Sequence, residues 1–371
     1  MTKRSPAVRR VLRSLAGVVL LVALVLTVAT APASGATTAG VDCGMVVTTD
    51  IRLGGDLVDC PATGLVVGAD NITIDLGGHV VGGVGVDVGI FLEGHTGVTV
   101  KHGSIREFQI GVLAIDSSRG SIAGIRFDDI TGKGVILAAG ATHNAVSHNS
   151  FVRNVEGGVG VFDGATGNTI TDNLFSQDGA GVENNFADAT IVERNTMKLT
   201  GSGVIVESSD NLRITDNEIS HSVATMCEGC GIGIQIYGNN ILVARNTLID
   251  SPRYGIELDD FQDEGHSPAI GNKIVGNRVI GSGIGIAIGP EAGGVVLDTL
   301  ISSNTVVNAI GDGIQLLGPS TGLETSTLSG NRALHNGQLG INTVEGTRDG
   351  GGNRAAGNGD PRQCVNILCS P

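Results

Sequence analysis

The densest run of reactive side chains in this 371-residue sequence is Arg253-Tyr254-Gly255-Ile256-Glu257-Leu258-Asp259-Asp260, closely followed by Asp263, Glu264 and His266. Two chemistries can use those types. Hydrolysis of a glycosidic bond needs two carboxyl groups about 5 to 9.5 Å apart. Glu257, Asp259 or Asp260, with Glu207 from a neighbouring segment, are candidates for that pair. A uronate lyase or C5-epimerase needs a base for the proton beside the sugar carboxylate and a cation to neutralise that carboxylate. His266 or Tyr254 is the candidate base and Arg253 the candidate cation. Asp259, Asp260, Asp263 and Glu264 are hard oxygen donors in close succession, the type that holds Ca²⁺. A plain solvated loop accounts for the same residues, and the three readings stand side by side.

The elements that position this run repeat along the chain. Asparagine returns at Asn149, Asn173, Asn195, Asn217, Asn246, Asn277, Asn304, Asn331 and Asn358, at intervals of 22 to 31 residues. An aliphatic residue lies three before each, from Val146, Ile170 and Val192 to Ile301 and Leu328. The register extends back through Ile125 and Gly103 to Asp75, which makes twelve candidate coils. A leucine-rich repeat has a similar Leu-x-x-Asn-x-Leu signature, but it returns through a helix or turn rich in Leu and Ala. Here each repeat carries a second strand opened by glycine, as in Gly134-Val135-Ile136-Leu137, Gly203-Val204-Ile205-Val206 and Gly233-Ile234-Gln235-Ile236. Alternating β-branched residues bounded by glycine mean strand. Short strands, frequent turns and 59 glycines describe an all-β fold, a right-handed parallel β-helix whose coils stack by about 4.8 Å. Asparagine suits the bends because it tolerates left-handed backbone and its amide can pair with the Asn of the next coil.

On the second strand, the positions one and three after the glycine point inward and those two and four after it point outward. The outward columns turn polar from Glu183 onward, giving a candidate substrate-binding face of Glu183, Asn185, Glu207, Gln235, Tyr237, Glu257 and Asp259. Counting each coil by the Asn that closes it, this face covers coils 6 to 9. Two oversized connections flank it, His221 to Cys230 and Asp260 to His266, and long loops on a rigid scaffold are where function tends to sit. Outward strand positions are polar in any case, so a merely solvated face is the competing reading.

The N-terminal stretch narrows the class. Cys43-Gly44, Leu57-Val58-Asp59-Cys60-Pro61, the run Gly64 to Leu76 and Gly78-His79 resemble the opening of secreted right-handed β-helix proteins of the pectate-lyase-like class, NosD-type periplasmic proteins among them. The resemblance covers about residues 43 to 369. It implies a fold, and activities ranging over polysaccharide lyases, hydrolases and epimerases. The Asp-Asp, Gly-His-Gly and Arg-x-Lys series of polygalacturonases is missing, as are the Arg-rich motifs of pectate lyases, so no catalytic residue transfers by motif. The NosD side of the resemblance implies copper, yet four Met and eight His show no ligand-like clustering. His79, His102, His143 and His148 read as turn residues.

Residues 1 to 36 read as an export signal: basic Lys3, Arg4, Arg9, Arg10 and Arg13, an apolar run Leu15 to Ala29, then Ser34-Gly35-Ala36. An uncleaved anchor and a twin-arginine signal are the alternatives. Residues 37 to 371 form one domain, with an N-terminal cap at 43 to 70, coils over 71 to 360 and a C-terminal cap at 361 to 371. Loss of the five basic signal residues and no acidic one takes the formal charge from −14 to −19. Such a surface disfavours nucleic acid and repels polyuronates unless a metal bridges them. Nothing after Ala36 is apolar enough to span a bilayer. Six cysteines in an exported chain pair most simply in sequence, Cys43 with Cys60, Cys227 with Cys230 and Cys364 with Cys369; the C-x-x-C could instead be redox-active or half a metal site. The expectation is a secreted monomer that binds an extracellular or cell-surface polysaccharide, with cleavage or epimerisation as the catalytic form of that reading. A non-catalytic adhesive module and a structural envelope spacer are the alternatives.

Overall fold

The computed structural model describes residues 40–226, 229–260, 268–290 and 294–371. The chain winds as an all-β parallel solenoid of about thirteen turns. One long sheet holds fourteen strands in consecutive parallel order, from Met45–Val47 to Cys364–Val365. The remaining wall is two adjoining columns of short strands, such as Ala145–Ser147 and Ser150–Val152. They fuse into single eight-residue strands at Thr99–Arg106 and Ser121–Asp128. The count exceeds that of the Asn beat because Met45–Val47, Ile51–Arg52 and Leu65–Val67, expected as a cap, themselves pair into the solenoid.

Inside, like stacks on like. Val135, Val159, Val182, Val204, Ile234, Ile256, Ile286 and Ile314 are successive partners along the long sheet and are all fully buried. Facing them, Phe127, Phe151 and Phe175 form a stack with ring centroids 4.8 and 4.7 Å apart, and Met197 continues the column. The β-branched side chains suit this arrangement because each fills the gap to its copy one coil away.

The asparagine beat is a hydrogen-bond ladder, with two corrections. The left-handed backbone falls on the residue before each Asn, at His148, Asp172, Arg194, Asp216 and Arg245 with φ of 54 to 57°, which leaves the amide free to turn into the core. Each amide then serves two coils. The Asn173 backbone N–H donates to Asn195 Oδ1 at 3.0 Å, while its Nδ2 donates to the Val146 carbonyl at 2.9 Å and to Asn195 Oδ1 at 3.1 Å. The second correction concerns Asn358. The ladder passes from Asn331 to Asn353, and Asn358 belongs to a parallel ladder with Asn336.

That parallel ladder contains Asn154 and Asp178 in its earlier coils. Asp178 Oδ1 accepts from the Asn154 N–H at 2.8 Å and from its Nδ2 at 2.9 Å, and Oδ2 accepts from the Ser176 N–H at 3.1 Å. Burial nevertheless raises its carboxyl to about 7, against the pull of those donors.

Disulfides join Cys43 to Cys60 and Cys364 to Cys369 near the two ends. Cys230 is also disulfide-bonded, while Cys227 lies outside the described residues.

Candidate functional site

The outward columns follow the register read from the glycines. Gly160, Glu183, Ile205, Gln235, Glu257, Ala287, Gln315 and Asn342 are successive partners two residues after the strand glycine. Phe162, Asn185, Glu207 and Tyr237 are successive partners four after it. Period-two alternation on flat parallel strands dictates this placement.

These side chains contact one another. Asn185 Nδ2 donates to Glu207 Oε2 at 2.7 Å. Glu207 is the register partner of Tyr237 on the next coil. Gln235 Nε2 donates both to the Tyr237 hydroxyl at 2.7 Å and to Glu257 Oε2 at 2.9 Å. A polar strip therefore crosses four adjacent strands, Ala180–Asn185, Ser202–Glu207, Ile232–Tyr237 and Tyr254–Leu258, a span of roughly 14 Å at the inter-strand spacing. Glu207, Gln235 and Tyr237 are half-buried, Asn185 is 8% exposed, and Glu257 is fully buried.

The described residues next to both insertions lie at the ends of these strands. At the strands' N-terminal ends, the Arg253 guanidinium donates to the Gly229 carbonyl at 3.3 Å and lies 5.5 Å from the Tyr254 ring. Cys230 and Met226 close over Gly201 there, and a Cβ at that glycine would lie 2.6 Å from the Cys230 sulfur. At the other ends, Asp259 accepts from the Ser320 hydroxyl at 2.7 Å and from the Asp260 N–H at 2.9 Å. Asp260 Oδ2 accepts from the Val295 N–H at 2.7 Å. Both carboxylates are buried and tie down a turn. Asp263, Glu264 and His266 lie outside the described residues, so the Ca²⁺ set is represented by Asp259 and Asp260 alone.

Counting from the glycines missed one residue. Lys133 opens the strand Lys133–Ala138 in a third outward column, one position before the glycine, where Val88 and Ile110 precede it. Its side chain is 4% exposed and runs over Gly160 to place Nζ 2.7 Å from Glu183 Oε2 and 3.1 Å from the Glu156 carbonyl. The Phe162 ring lies 5.9 Å from the ammonium. A Cβ on Gly160 would sit 2.9 Å from Lys133 Cδ, so the glycine makes the passage. A lysine directly after Val88 and Ile110 in one column was the available signal. Around it, Val88, Ile110, Leu113, Ile136, Ala138 and Phe162 form a second apolar cluster, separate from the core.

Elsewhere a shallow cleft of about 630 Å³ follows the Asn corner past Arg126, His148, Asp172, Leu174 and Arg194. Its arginines are committed to aspartates, Arg126 to Asp128 at 2.9 Å. Arg194 clasps Asp172 at 2.9 Å through two nitrogens and holds that carboxyl below its usual range. Four histidines pair singly: His79 with Asp56 at 3.1 Å, His95 with Asp70 at 3.0 Å, His102 with Asp75 at 3.5 Å and His221 with Asp250 at 3.4 Å. His102, His143 and His148 adopt φ of 55 to 59°, as turn residues do.

The profile described as "Periplasmic copper-binding protein (NosD)" matches residues 69–254, half of the chain. The chain belongs to the NosD family. A second profile, "Right handed beta helix region", matches residues 187–331 of this NosD-family chain. No curated protein matches it. Among solved structures it is similar to an alginate lyase from Paenibacillus sp. (16% identity, 62% of this chain and 86% of the other, TM-score 0.48). It is also similar to a tailspike protein of E. coli bacteriophage HK620 in complex with a pentasaccharide (12%, 86% and 70%, 0.48). A third is an exopolygalacturonase from Thermotoga maritima (11%, 80% and 83%, 0.45).

Proposed function

We propose that this chain works outside the cytoplasm and binds a polysaccharide along the outer face of its long sheet, on the strands from Ala180 to Leu258. The observation that carries the reading is the strip Asn185, Glu207, Tyr237, Gln235 and Glu257. It is a row of mutually ordered donors and acceptors on rigid strands, with Arg253 and Cys230 at one end of the strands and the Asp259–Asp260 turn at the other. Sugars are recognised through hydroxyl hydrogen bonds, and preorganised polar side chains lower the ordering cost of binding an extended chain. Tyr237 and Tyr254 add the face's aromatic surface. The extracytoplasmic location is supported by disulfides near both ends and by the word "periplasmic" in the family's description.

Hydrolysis is a second reading, favoured by Glu207 and Glu257 lying two strands apart on one face, roughly 10 Å between backbones, from which their side chains can reach the carboxyl spacing of an inverting glycosidase. Copper has no comparable support. Among the described residues no group of three or more His, Cys, Asp and Glu is close enough to hold a metal ion. Four histidines pair with one aspartate each, and Met197 is buried in the core.

The test is a panel of immobilised polysaccharides probed with the secreted chain, followed by assay of bound glycans for shortened chains and for new ultraviolet absorbance from unsaturated uronate. Retention of a glycan, weakened several-fold by Glu207→Gln, is expected. Shortened chains would add the hydrolytic reading; retention without product leaves a binding module. Failure to retain any glycan would remove the polysaccharide reading.

A further inference from the structure

We infer that the last coils of the two-column wall form a docking face for an anionic phospholipid surface, on a different sheet from the polar strip. The register defines that face. Arg278, Thr305, Arg332 and Arg354 are successive partners, and two residues further on Ile280, Val307, Leu334 and Ala356 form the column beside them. The residues between, Val279, Val306, Ala333 and Ala355, are buried in the core, so alternation turns both columns outward. The adjoining strand column adds Lys273 and Arg348 at outward positions in register with Leu300 and Thr327.

Charge sets this stretch apart from the coils before it. There, arginines are matched by carboxylates: Arg126 by Asp128, Arg153 by Asp129, Arg194 by Asp172 and Arg245 by Asp216. From Leu242 onward the outward positions of these strands hold no carboxylate. Lys273, Arg278, Arg332 and Arg354 are exposed, and their side chains make no hydrogen bond or ion pair among the described residues. The acids at the margin are engaged, Asp298 with Arg348 at 3.8 Å, Asp250 with His221 at 3.4 Å, and Asp349 with the Gly351 and Leu368 N–H groups. Arg332 and Arg354 stand on adjacent strands, where like charges repel. In a chain of net charge −14, the complement of this row is an anion.

The aliphatic column decides which anion. Guanidinium groups take phosphate through paired hydrogen bonds, and a soluble polyanion would use nothing else on this face. A phospholipid surface supplies phosphates for the arginines and apolar depth for the aliphatic residues beside them. Two of the most exposed aliphatic side chains lie at its margins. Ile310, three residues beyond Val307, is 74% exposed, and Leu368, whose N–H bonds Asp349 next to Arg348, is 82% exposed.

The experiment is co-sedimentation of the secreted chain with vesicles of pure phosphatidylcholine and with vesicles containing about 30% phosphatidylglycerol, alongside titration with soluble polyphosphate. Binding to the anionic vesicles is expected to exceed binding to the zwitterionic ones by about tenfold or more at low salt and to weaken at about 0.5 M salt. Arg332→Glu with Arg354→Glu should lower it by about tenfold. Ile310→Ser with Leu368→Ser should lower it several-fold at both salt concentrations, because the apolar contribution is not screened. All four positions are exposed, so melting temperatures should stay unchanged, and retention of glycans by the polar strip should be the same in each variant. Equal binding to the two vesicle types, or binding that survives the double arginine reversal, overturns the inference. Polyphosphate binding without vesicle binding, or vesicle binding indifferent to the Ile310 and Leu368 changes, also overturns it and makes the row a site for a soluble anion.

Discussion

Two buried ionisable side chains carry opposite lessons at the scale of single residues. Lys133 is held by Glu183 at 2.7 Å with its side chain 4% exposed. Taking away one member of a buried pair costs about 3–5 kcal/mol, and the Glu183 left behind here is 22% exposed, which places the cost at the low end. Lys133→Met is therefore expected to lower stability by roughly 3 kcal/mol, and adding Glu183→Gln should restore most of the loss. Urea midpoints of the two variants decide it, and additive losses would show that the ion pair is not what holds Glu183. Asp178 has no cation, and burial raises its carboxyl from 3.8 to about 7. Between those values the folded chain retains a proton that the unfolded chain has released. Its contribution is therefore fully present below pH 3.8 and is lost as pH rises through about 7, by up to roughly 4 kcal/mol. Asp178→Asn keeps an acceptor for Asn154 and removes the titration. Between pH 5 and pH 8 the wild type should lose more stability than the variant; parallel losses would place the pH dependence elsewhere.

The elements were legible in proportion to how regular their periods are. The inward and outward columns of the long sheet can be read from glycine because a strand alternates with a period of two, and the sequence alone places Glu183, Gln235 and Glu257. Lys133 escapes that count because it precedes the glycine that opens it. The second ladder is hidden for a related reason. Its Asp178 is not an amide, and it runs at the same interval as the first ladder, so spacing assigns Asn358 to the wrong one. Spacing alone does not distinguish two columns that share a coil. The ladders make a direct prediction. Asn195 accepts from the Asn173 N–H and Nδ2 and donates to the Ile170 carbonyl at 2.8 Å and to Asn217 Oδ1 at 3.0 Å. Asn195→Ala leaves several buried groups without partners and should cost about 2–4 kcal/mol, read as a lower denaturation midpoint. A loss below about 0.5 kcal/mol, the level of an ordinary surface change, would mean that water replaces the amide.

At the scale of the whole molecule, the solenoid separates stability from function. Its core of stacked aliphatics and phenylalanines repeats almost unchanged from coil to coil, and the departures from that regularity gather beside one stretch of the long sheet. The insertion ending at Cys230, the turn anchored by Asp259 and Asp260, and the polar strip between them belong to neighbouring coils. The catalytic role considered for His266 and the Ca²⁺-binding role considered for Asp263 and Glu264 fall on a segment outside the described residues. The fold was legible because it is periodic, whereas a site is by nature aperiodic and its members had to be placed one at a time. The sequence also supplies a reporter. It contains no tryptophan and two tyrosines, Tyr237 and Tyr254, and both lie on the proposed binding face. Nearly all intrinsic emission therefore comes from that face. The decisive measurement is a tyrosine-fluorescence titration with the tightest-binding oligosaccharide of the panel, run beside calorimetry on the wild type and Glu207→Gln. A saturable change in emission that tracks the calorimetric curve, shifted to higher concentration in the variant, is the predicted result. Calorimetric binding with unchanged tyrosine emission and no effect of Glu207→Gln would contradict it and move the glycan to another face.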